Sequence, residues 1–575
     1  MPLPLEIPSA PQDRVLRQLV TAALFEGVVP FRIEKPDDLV WNLDGQDYRC
    51  RATLGTFARP RIRPRSVEMK DDDGNWVPAP LTTIVKSLPG SAVMRSKLLR
   101  ELEHTITLCQ WNEDNIPALN RRDMAFARLD GALHEGHPYH PCFKARYGLT
   151  IADNQLFGPE SAKPFQLFWV LHARENIRQA LGGDETSFWQ RELGEEIWNK
   201  IEIARQEKNL SWQNFALVPM HPWQWKNLQE SAGANLVASG KLHGLGQFGE
   251  HYLASQSLRS LHNIDRPLAA SIKLPLDVIN TSSRRLLDPH SVCTAPVLSK
   301  WIAGMVDGDP VFSERYPLTI LQEYAGVVAE HEDDLSGQIG AIWRESALKD
   351  LHPGEEVIPF NALMMLEADQ KPFMQPWIER FGLMPWLNRL LEISVLPVWH
   401  LLVHHGLAVE AHGQNMLLVH RNGWPVRLVL RDFHESIEFC PTFLRNPDEA
   451  PDFLTLDERY RGAAPNQYYW MENLDALREL VVDTLFIYNL AEVAHLLDHA
   501  YQLPEASFWA RVESLIDTYA AEHDASQRMA ALDYDHPAIR TESLLTKKLL
   551  AREPEYHHTV PNFLVKPAAE RRTMP

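Results

Sequence analysis

The sequence predicts an α+β fold, with short strands through its centre and a helix-rich C-terminal third. Three observations predict it. Residues 241–287 hold β-prone runs (LGQFG, HYLAS, LRSLHN, then SIKLPLDVINTSSRRLL with period-2 alternation). In EAHGQNMLLVHRNGWPVRLVLRDFHES (410–436), two apolar runs flank Asn422-Gly423, a strong hairpin signal. Beyond residue 386 the apolar residues recur with helical spacing over long segments.

The elements follow in order. An amphipathic helix is predicted from residue 13 to about 35, then strand-like sequence with a loop at KDDDGNW (70–76), then a helix over 96–119. GHPYHPCFKARYGL (136–149) is dense in turn formers and is predicted as a loop. FALVPM predicts a strand before HPWQW (221–225). WLNRLLEISVLPVWHLLVHHG predicts a helix that kinks at Pro397 and ends at Gly406, with further helices over 472–501 and 506–522. A chain of 575 residues exceeds the size of a single core. Boundaries are placed at 1–130, 131–385 and 386–575.

The composition, 45% hydrophobic and 23% charged, is that of a globular protein. The net charge of −19 excludes nucleic acid as a bulk electrostatic partner. The N-terminus shows no basic segment followed by an apolar core, and no run reaches the roughly 18 apolar residues of a membrane span. Five dispersed cysteines suit buried thiols in a reducing compartment, so a cytoplasmic protein is expected.

The hairpin gathers chemistry at its open end. With the turn near 423, position 415 faces about 431 and position 414 about 432. Alternation in LAVEAHGQN would place Glu410, His412 and Gln414 on one face. The expected patch therefore unites Glu410, His412, Gln414, Asn415, Arg431 and Asp432. Carboxylate and amide oxygens suit Mg²⁺, and imidazole and guanidinium suit phosphate or carboxylate. A second cluster lies upstream. Ser257, Arg259 and Ser260 offer hydroxyl, guanidinium and hydroxyl. Lys273 is expected to begin a strand with Pro275, Asp277 and Ile279 on its face, and Thr281, Arg284 and Arg285 follow. Cations at this density in an acidic protein indicate an anion pocket.

Taken together, GHPYHPCFKAR, VPMHPWQW, SLRSL, IKLPLDVINTSSRR, EAHGQN, RDF and TKKLL resemble, in order, the motifs of the NRPS-independent siderophore synthetases, the aerobactin synthetase (IucA/IucC) family. The resemblance implies a hand-like architecture: a thumb over 1–130, fingers over 131–385, a palm over 386–575, and a homodimer. It implies ATP-dependent adenylation of citrate or a citryl derivative, then attack by an amine or hydroxyl, with release of pyrophosphate and AMP. By position it assigns Ser257, Arg259, Ser260, Lys273, His140, Gln414 and Asn415 to ATP. Thr281, Arg285, His412 and Lys547 go to citrate, and Glu410 and Asp432 to Mg²⁺. Lys273, Arg285 and His412 carry catalysis, with His412 either orienting the carboxylate or taking a proton. Arg285 is preferred to Arg284, because its distance from Lys273 matches the family pattern.

Other histidines carry weaker signals. His134, His137 and His140 have ligand-like spacing, but prolines make theirs a rigid loop. Within that loop a substrate-side role falls to His140, Lys144 or Arg146. His221 is expected to be structural. His404 and His405 are expected to complement a helix dipole. Alternatives are a synthetase of another dicarboxylate such as 2-oxoglutarate, a kinase-like phosphotransferase, and a non-catalytic citrate- or nucleotide-binding protein.

Overall fold

Period-2 sequence in the centre of the chain becomes antiparallel sheet. A computed structural model describes residues 10–281, 283–332, 334–550 and 556–565. Its largest sheet has eight strands, in the order Phe215–Met220, Phe165–Ala173, Leu242–Ala254, Ser260–Asn263, Ser271–Lys273, Gly340–Arg344, Glu323–Ala329 and Ile177–Ala180. Every pairing in it is antiparallel. Trp169, Trp189 and Trp343 pack in its core. The expected continuous strand after Lys273 does not form. Lys273 ends its strand, and Leu276–Asn280 starts a separate three-stranded sheet. Pro275 between them has no N–H to give a ladder. Lys273 and Asp277 therefore do not share a face.

The N-terminal helix is Pro11–Phe25, shorter than expected, because Gly27 turns the chain at φ +68° toward the first strand, Phe31–Lys35. That helix and Ala92–Asn115 pack against each other and against Leu544–Leu550 near the C-terminus. Glu26 fastens this junction. Its carboxylate accepts from Leu545 N (2.8 Å), Thr546 N (2.7 Å) and Tyr139 Oη (2.6 Å). Chain ends far apart in sequence thus meet at the loop predicted over 136–149.

The hairpin forms as expected. Met416–Arg421 pairs with Trp424–Leu430 through a two-residue turn, Asn422 (φ +51°) and Gly423 (φ +89°), the positive-φ pair of a type I′ turn. A bulge at Val426 shifts the register by one, so the backbone N–H of Arg431 reaches Asn415 O (3.0 Å) and 415 faces 431. The hairpin's sheet also holds Glu355–Pro359 and, in parallel, Leu318–Ile320. It therefore joins residues on both sides of the boundary placed at 385. Partners so distant in sequence leave no local signal.

The helix Leu383–His400 packs on the hairpin, and Trp386 Nε1 donates to Gly423 O (2.8 Å). It runs through Pro397 into a π-helical turn, Leu401–His405, and stops at Gly406. Within the helical run Leu474–Tyr501 an 18-residue window reaches a mean hydropathy of 1.5, apolar enough to cross a membrane by length and composition although polar residues interrupt it. It is 83% buried inside the protein, which accounts for an apolar helix by core packing.

A Cβ on Gly423 would sit 2.1 Å from Trp377 Cδ1, in a backbone region that L side chains avoid. Gly423→Ala should therefore destabilise the protein by about 2 kcal/mol or more. An unchanged melting temperature would show that Trp377 simply yields.

Candidate active site

Four adjacent strands of the large sheet bring one residue each to the same end of the same face. Ser260 is the register partner of Lys273, and Lys273 of Ile342. Arg344 lies two residues on from Ile342, and Glu323 is its partner. Cross-strand partners share a face, as do residues two apart. Onto this row comes the exit of the hairpin. Asp432 adopts φ +67°, a left-handed conformation that aspartate tolerates, and turns its carboxylate to the sheet. Its Oδ1 accepts from Lys273 Nζ (3.2 Å) and Arg344 Nη1 (2.6 Å). Burial opposes ionisation of Asp432, but Arg344, Lys273 and Arg431 hold its carboxyl well below the usual range. Burial lowers the Lys273 ammonium, and Asp432 works against that. Glu323 fixes the turn from below: it accepts from the backbone N–H of Phe433 (3.1 Å) and His434 (3.0 Å) and contacts His434 Nδ1 (3.0 Å). His434 Nε2 lies 3.4 Å from Lys273 Nζ.

Two guanidiniums stand beside this cluster. Arg259 donates to Leu286 O, and Arg285 Nη2 to Asn280 O (2.8 Å). Among the described residues neither is ion-paired with a carboxylate, and both Nε atoms are buried without a partner. Burial and the charge of Arg259 pull Arg285 down to about 9, with Glu410 and Glu435 opposing. A bound anion would relieve both. Arg284 instead pairs with Asp277 at the surface, so of the two neighbours Arg285 is the one that faces inward.

Three histidines share one device. His137 Nδ1 accepts from the backbone N–H of Tyr139 (3.1 Å) and His140 (3.0 Å). His140 Nδ1 accepts from Cys142 N (3.0 Å), and His412 Nδ1 from Gln414 N (3.1 Å) and Asn415 N (3.3 Å). A ring nitrogen that accepts carries no proton, so each neutral imidazole presents Nε2–H as a donor. Burial, helped by the charge of Arg59, pulls His137 down to about 3; burial, helped by Lys548 and Arg285, lowers His140 well below the usual imidazole range. The buried Nε2 of His140 has no partner among the described residues.

The expected residues divide. Lys273 and Asp432 meet directly, Ser260 lies across from Lys273, and Arg259 and Arg285 flank them. Glu410 sits 3.7 Å from His412 Nε2. The expected alternating face is absent, because the strand ends at Val409 and 412–415 form a turn. Asn415 closes this turn by donating to Glu410 O (3.1 Å), and Gln414 O accepts from Arg431 Nε (2.8 Å). Ser257 Oγ accepts from Ser260 N (3.1 Å), which shapes the loop. Thr281 takes φ +60° and donates its N–H to Ala145 O.

Other expectations are corrected. Arg431 keeps its Nε on Gln414 O, but its Nη1 is taken by the buried Asp130 (3.2 Å), which His262 also contacts (2.8 Å). Lys144 and Arg146 are both spent on the buried Glu160 (2.6 and 2.7 Å), a structural role. His221 caps a helix through Trp223 N, as expected of a structural residue. Lys547 bonds to Glu542, and its neighbour Lys548 supplies the charge near His140. Sequence reasoning missed Arg344, Glu323 and Lys548, and gave His137 only ligand-like spacing. Only Arg344, a lone cation in the apolar run GAIWR, left a local clue.

Buried cations and N–H donors thus converge here from several elements of the fold. Residues 125–365 match the IucA / IucC family, and residues 384–558 match the ferric iron reductase FhuF-like transporter family. The citryl-spermidine/3,4-dihydroxybenzoyl-citryl-spermidine:spermidine ligase of Bacillus anthracis is 32% identical, over 96% of this chain and 93% of its own. The crystal structure of the petrobactin biosynthesis protein AsbB from Bacillus anthracis str. Sterne superposes with a TM-score of 0.90 at 30% identity, covering 96% and 95% of the two chains. ATP-bound aerobactin synthetase IucA from a hypervirulent Klebsiella pneumoniae pathotype shares the fold, with a TM-score of 0.75 at 20% identity over 97% and 100%. The chain belongs to the IucA/IucC family of siderophore synthetases and is an ATP-dependent ligase.

Because Glu323 holds the turn that carries Asp432 and His434, Glu323→Gln should lower turnover about 10- to 100-fold with the fold intact by circular dichroism. Wild-type turnover would show that the turn keeps its shape without the carboxylate.

Proposed function

We propose that the protein adenylates one carboxylate of citrate, or of a citryl conjugate, and couples it to an amine or alcohol. The observation that carries this is the pair Arg259 and Arg285, half-buried guanidiniums beside Lys273 that have no carboxylate partner among the described residues. The printed name of the 32% identical relative, a citryl-spermidine ligase, supports citrate as the donor.

In this reading a citrate carboxylate oxygen attacks the α-phosphorus of ATP. The bond to the β-phosphate oxygen breaks and pyrophosphate leaves. An amine or hydroxyl then attacks the acyl carbon, its proton is lost, and AMP departs. The barrier to the first step is repulsion between two anions, and fixed cations lower it without reorganisation. Arg259, with Ser260 and the loop shaped by Ser257, holds phosphate oxygens, and Lys273 stands at the α-phosphate. Arg285 and Thr281 hold citrate. His140 and His412 donate Nε2–H to ligand oxygens, with Gln414 and Asn415 shaping the turn. His412 thus orients a substrate oxygen and does not serve as the base, since Nδ1 is occupied and Nε2 carries the proton.

Mg²⁺ would offset phosphate charge when bound. The donor set fits a hard cation: both ion pairs of Asp432 use Oδ1 and leave Oδ2, and the carboxylates of Glu410 and Glu435 are part-exposed. Glu323 is excluded, since both of its oxygens are engaged.

Pyrophosphate release with ATP and Mg²⁺, across citrate, 2-oxoglutarate and succinate with hydroxylamine as nucleophile, tests the reading. Citrate-dependent pyrophosphate and a citryl hydroxamate are expected. Release with 2-oxoglutarate alone would move the donor, and ADP in place of AMP would establish a phosphotransferase. Arg285→Ala should raise the citrate KM at least about tenfold, with the ATP KM within about twofold. Equal rises in both would remove Arg285 from the citrate subsite. Lys273→Ala should depress adenylation about 100- to 1000-fold, as for loss of one transition-state charge contact.

A further inference from the structure

Far from this site, four ligating side chains converge where the helix Leu383–His400 ends. Asp309 Oδ2 lies 3.0 Å from His400 Nε2, 2.9 Å from His405 Nε2 and 3.9 Å from His404 Nε2. One donor atom from each of the four lies within 4.8 Å of every other. A tetrahedral centre with bonds of about 2.0–2.2 Å spaces its ligand atoms by about 3.3–3.6 Å, so the cluster has the dimensions of such a centre.

The backbone is built to assemble it. In an α-helix His400 and His404 share a face, but His405 would point about 140° away. Leu401–His405 is π-helical, and its wider turn returns residue i+5 over residue i. Both His404 and His405 therefore lie over His400. Gly406 (φ +82°) ends the turn, where a Cβ would meet Phe443 O at 2.4 Å. Asp309, just past the helix Pro289–Gly308, accepts from Val311 N through Oδ1 (3.0 Å), which leaves Oδ2 to the histidines. His400 Nδ1 contacts Tyr519 Oη (2.8 Å), a hydroxyl able to donate or accept and so to orient either tautomer.

Hydrogen bonding to Asp309 accounts for His400 and His405. It does not account for His404, whose ring stacks on His400 at 4.6 Å and 11° with its Nε2 beyond hydrogen-bond reach of the carboxylate. His404 and Asp309 are part-exposed, which leaves an entry path.

We propose that Asp309, His400, His404 and His405 bind one divalent transition-metal ion of the zinc type. Three imidazoles and one carboxylate select such an ion over Mg²⁺. The ion would fasten the end of one helix to the end of another. The site is distinct from the reaction centre: the helix bearing Asp309 at its far end carries Ser291 at its start, where Ser291 contacts Glu435 (3.3 Å), about 27 Å away at 1.5 Å per residue.

The test uses full-length protein, stripped with chelator and titrated with Co²⁺ without nucleotide. One equivalent should bind, with the visible d–d bands of a four-coordinate nitrogen–oxygen centre, and Zn²⁺ should displace it and raise the melting temperature. His404→Gln should abolish the bands and weaken Co²⁺ binding more than about tenfold. Tyr519→Phe, which keeps all four ligands, should retain the bands with weaker binding. Absence of stoichiometric binding to the wild-type protein at micromolar concentration would overturn the proposal. So would unchanged binding in a folded His404→Gln. The zinc-dependent melting shift of the wild type decides the matter if that variant does not fold.

Discussion

One carboxylate oxygen ties the molecule together. Oδ1 of Asp432, at the exit of the C-terminal hairpin, accepts from Lys273 and Arg344 on adjacent strands of the large sheet. This contact fixes how the four-stranded sheet sits on the eight-stranded one. Removing a partner from such a buried group typically costs about 3–5 kcal/mol, because the charge left behind is uncompensated. The shared oxygen also sets function. It fixes the Lys273 ammonium, while Glu323 grips the backbone beneath it. Stability and catalysis draw on the same few charges.

The arginines follow the opposite logic. Asp432, Glu323, Glu160 and Asp130 each have cationic or histidine partners that balance them. Among the described residues Arg259 and Arg285 are held by backbone carbonyls, which orient a guanidinium without neutralising it. Two half-buried guanidiniums beside Lys273 thus stand in contrast to these balanced carboxylates. The histidine turns add to this. Each spends Nδ1 on its own backbone and so offers Nε2–H as a donor.

The same ring chemistry serves two purposes. In the His-Pro loop and at His412 the imidazole acts as a turn-forming acceptor, and the helix Leu383–His400 has no part in it. At the end of that helix a π turn collects three imidazoles around one carboxylate instead. Spacing along the chain separates these uses poorly. His137 and His140 look like ligands but turn a loop, whereas His404 and His405 look like a dipole cap but face Asp309.

Local physics was legible in the sequence. The Asn-Gly turn set the hairpin, period-2 alternation marked the central strands, and motif order identified the family. Lys273, Arg259, Arg285, His412 and Asp432 all stand out in the sequence itself. What the sequence could not supply were partners distant in the chain. Arg344, Glu323 and Lys548 act through contacts with residues some 90 to 450 positions away. Arg431 looked available until Asp130, 301 residues earlier, claimed it. A turn or a strand is decided by neighbours within a few residues, through backbone sterics and hydrogen bonds. Which charge meets which is decided by the packing of whole sheets, and so only the tertiary structure could settle which cations were left free for a substrate.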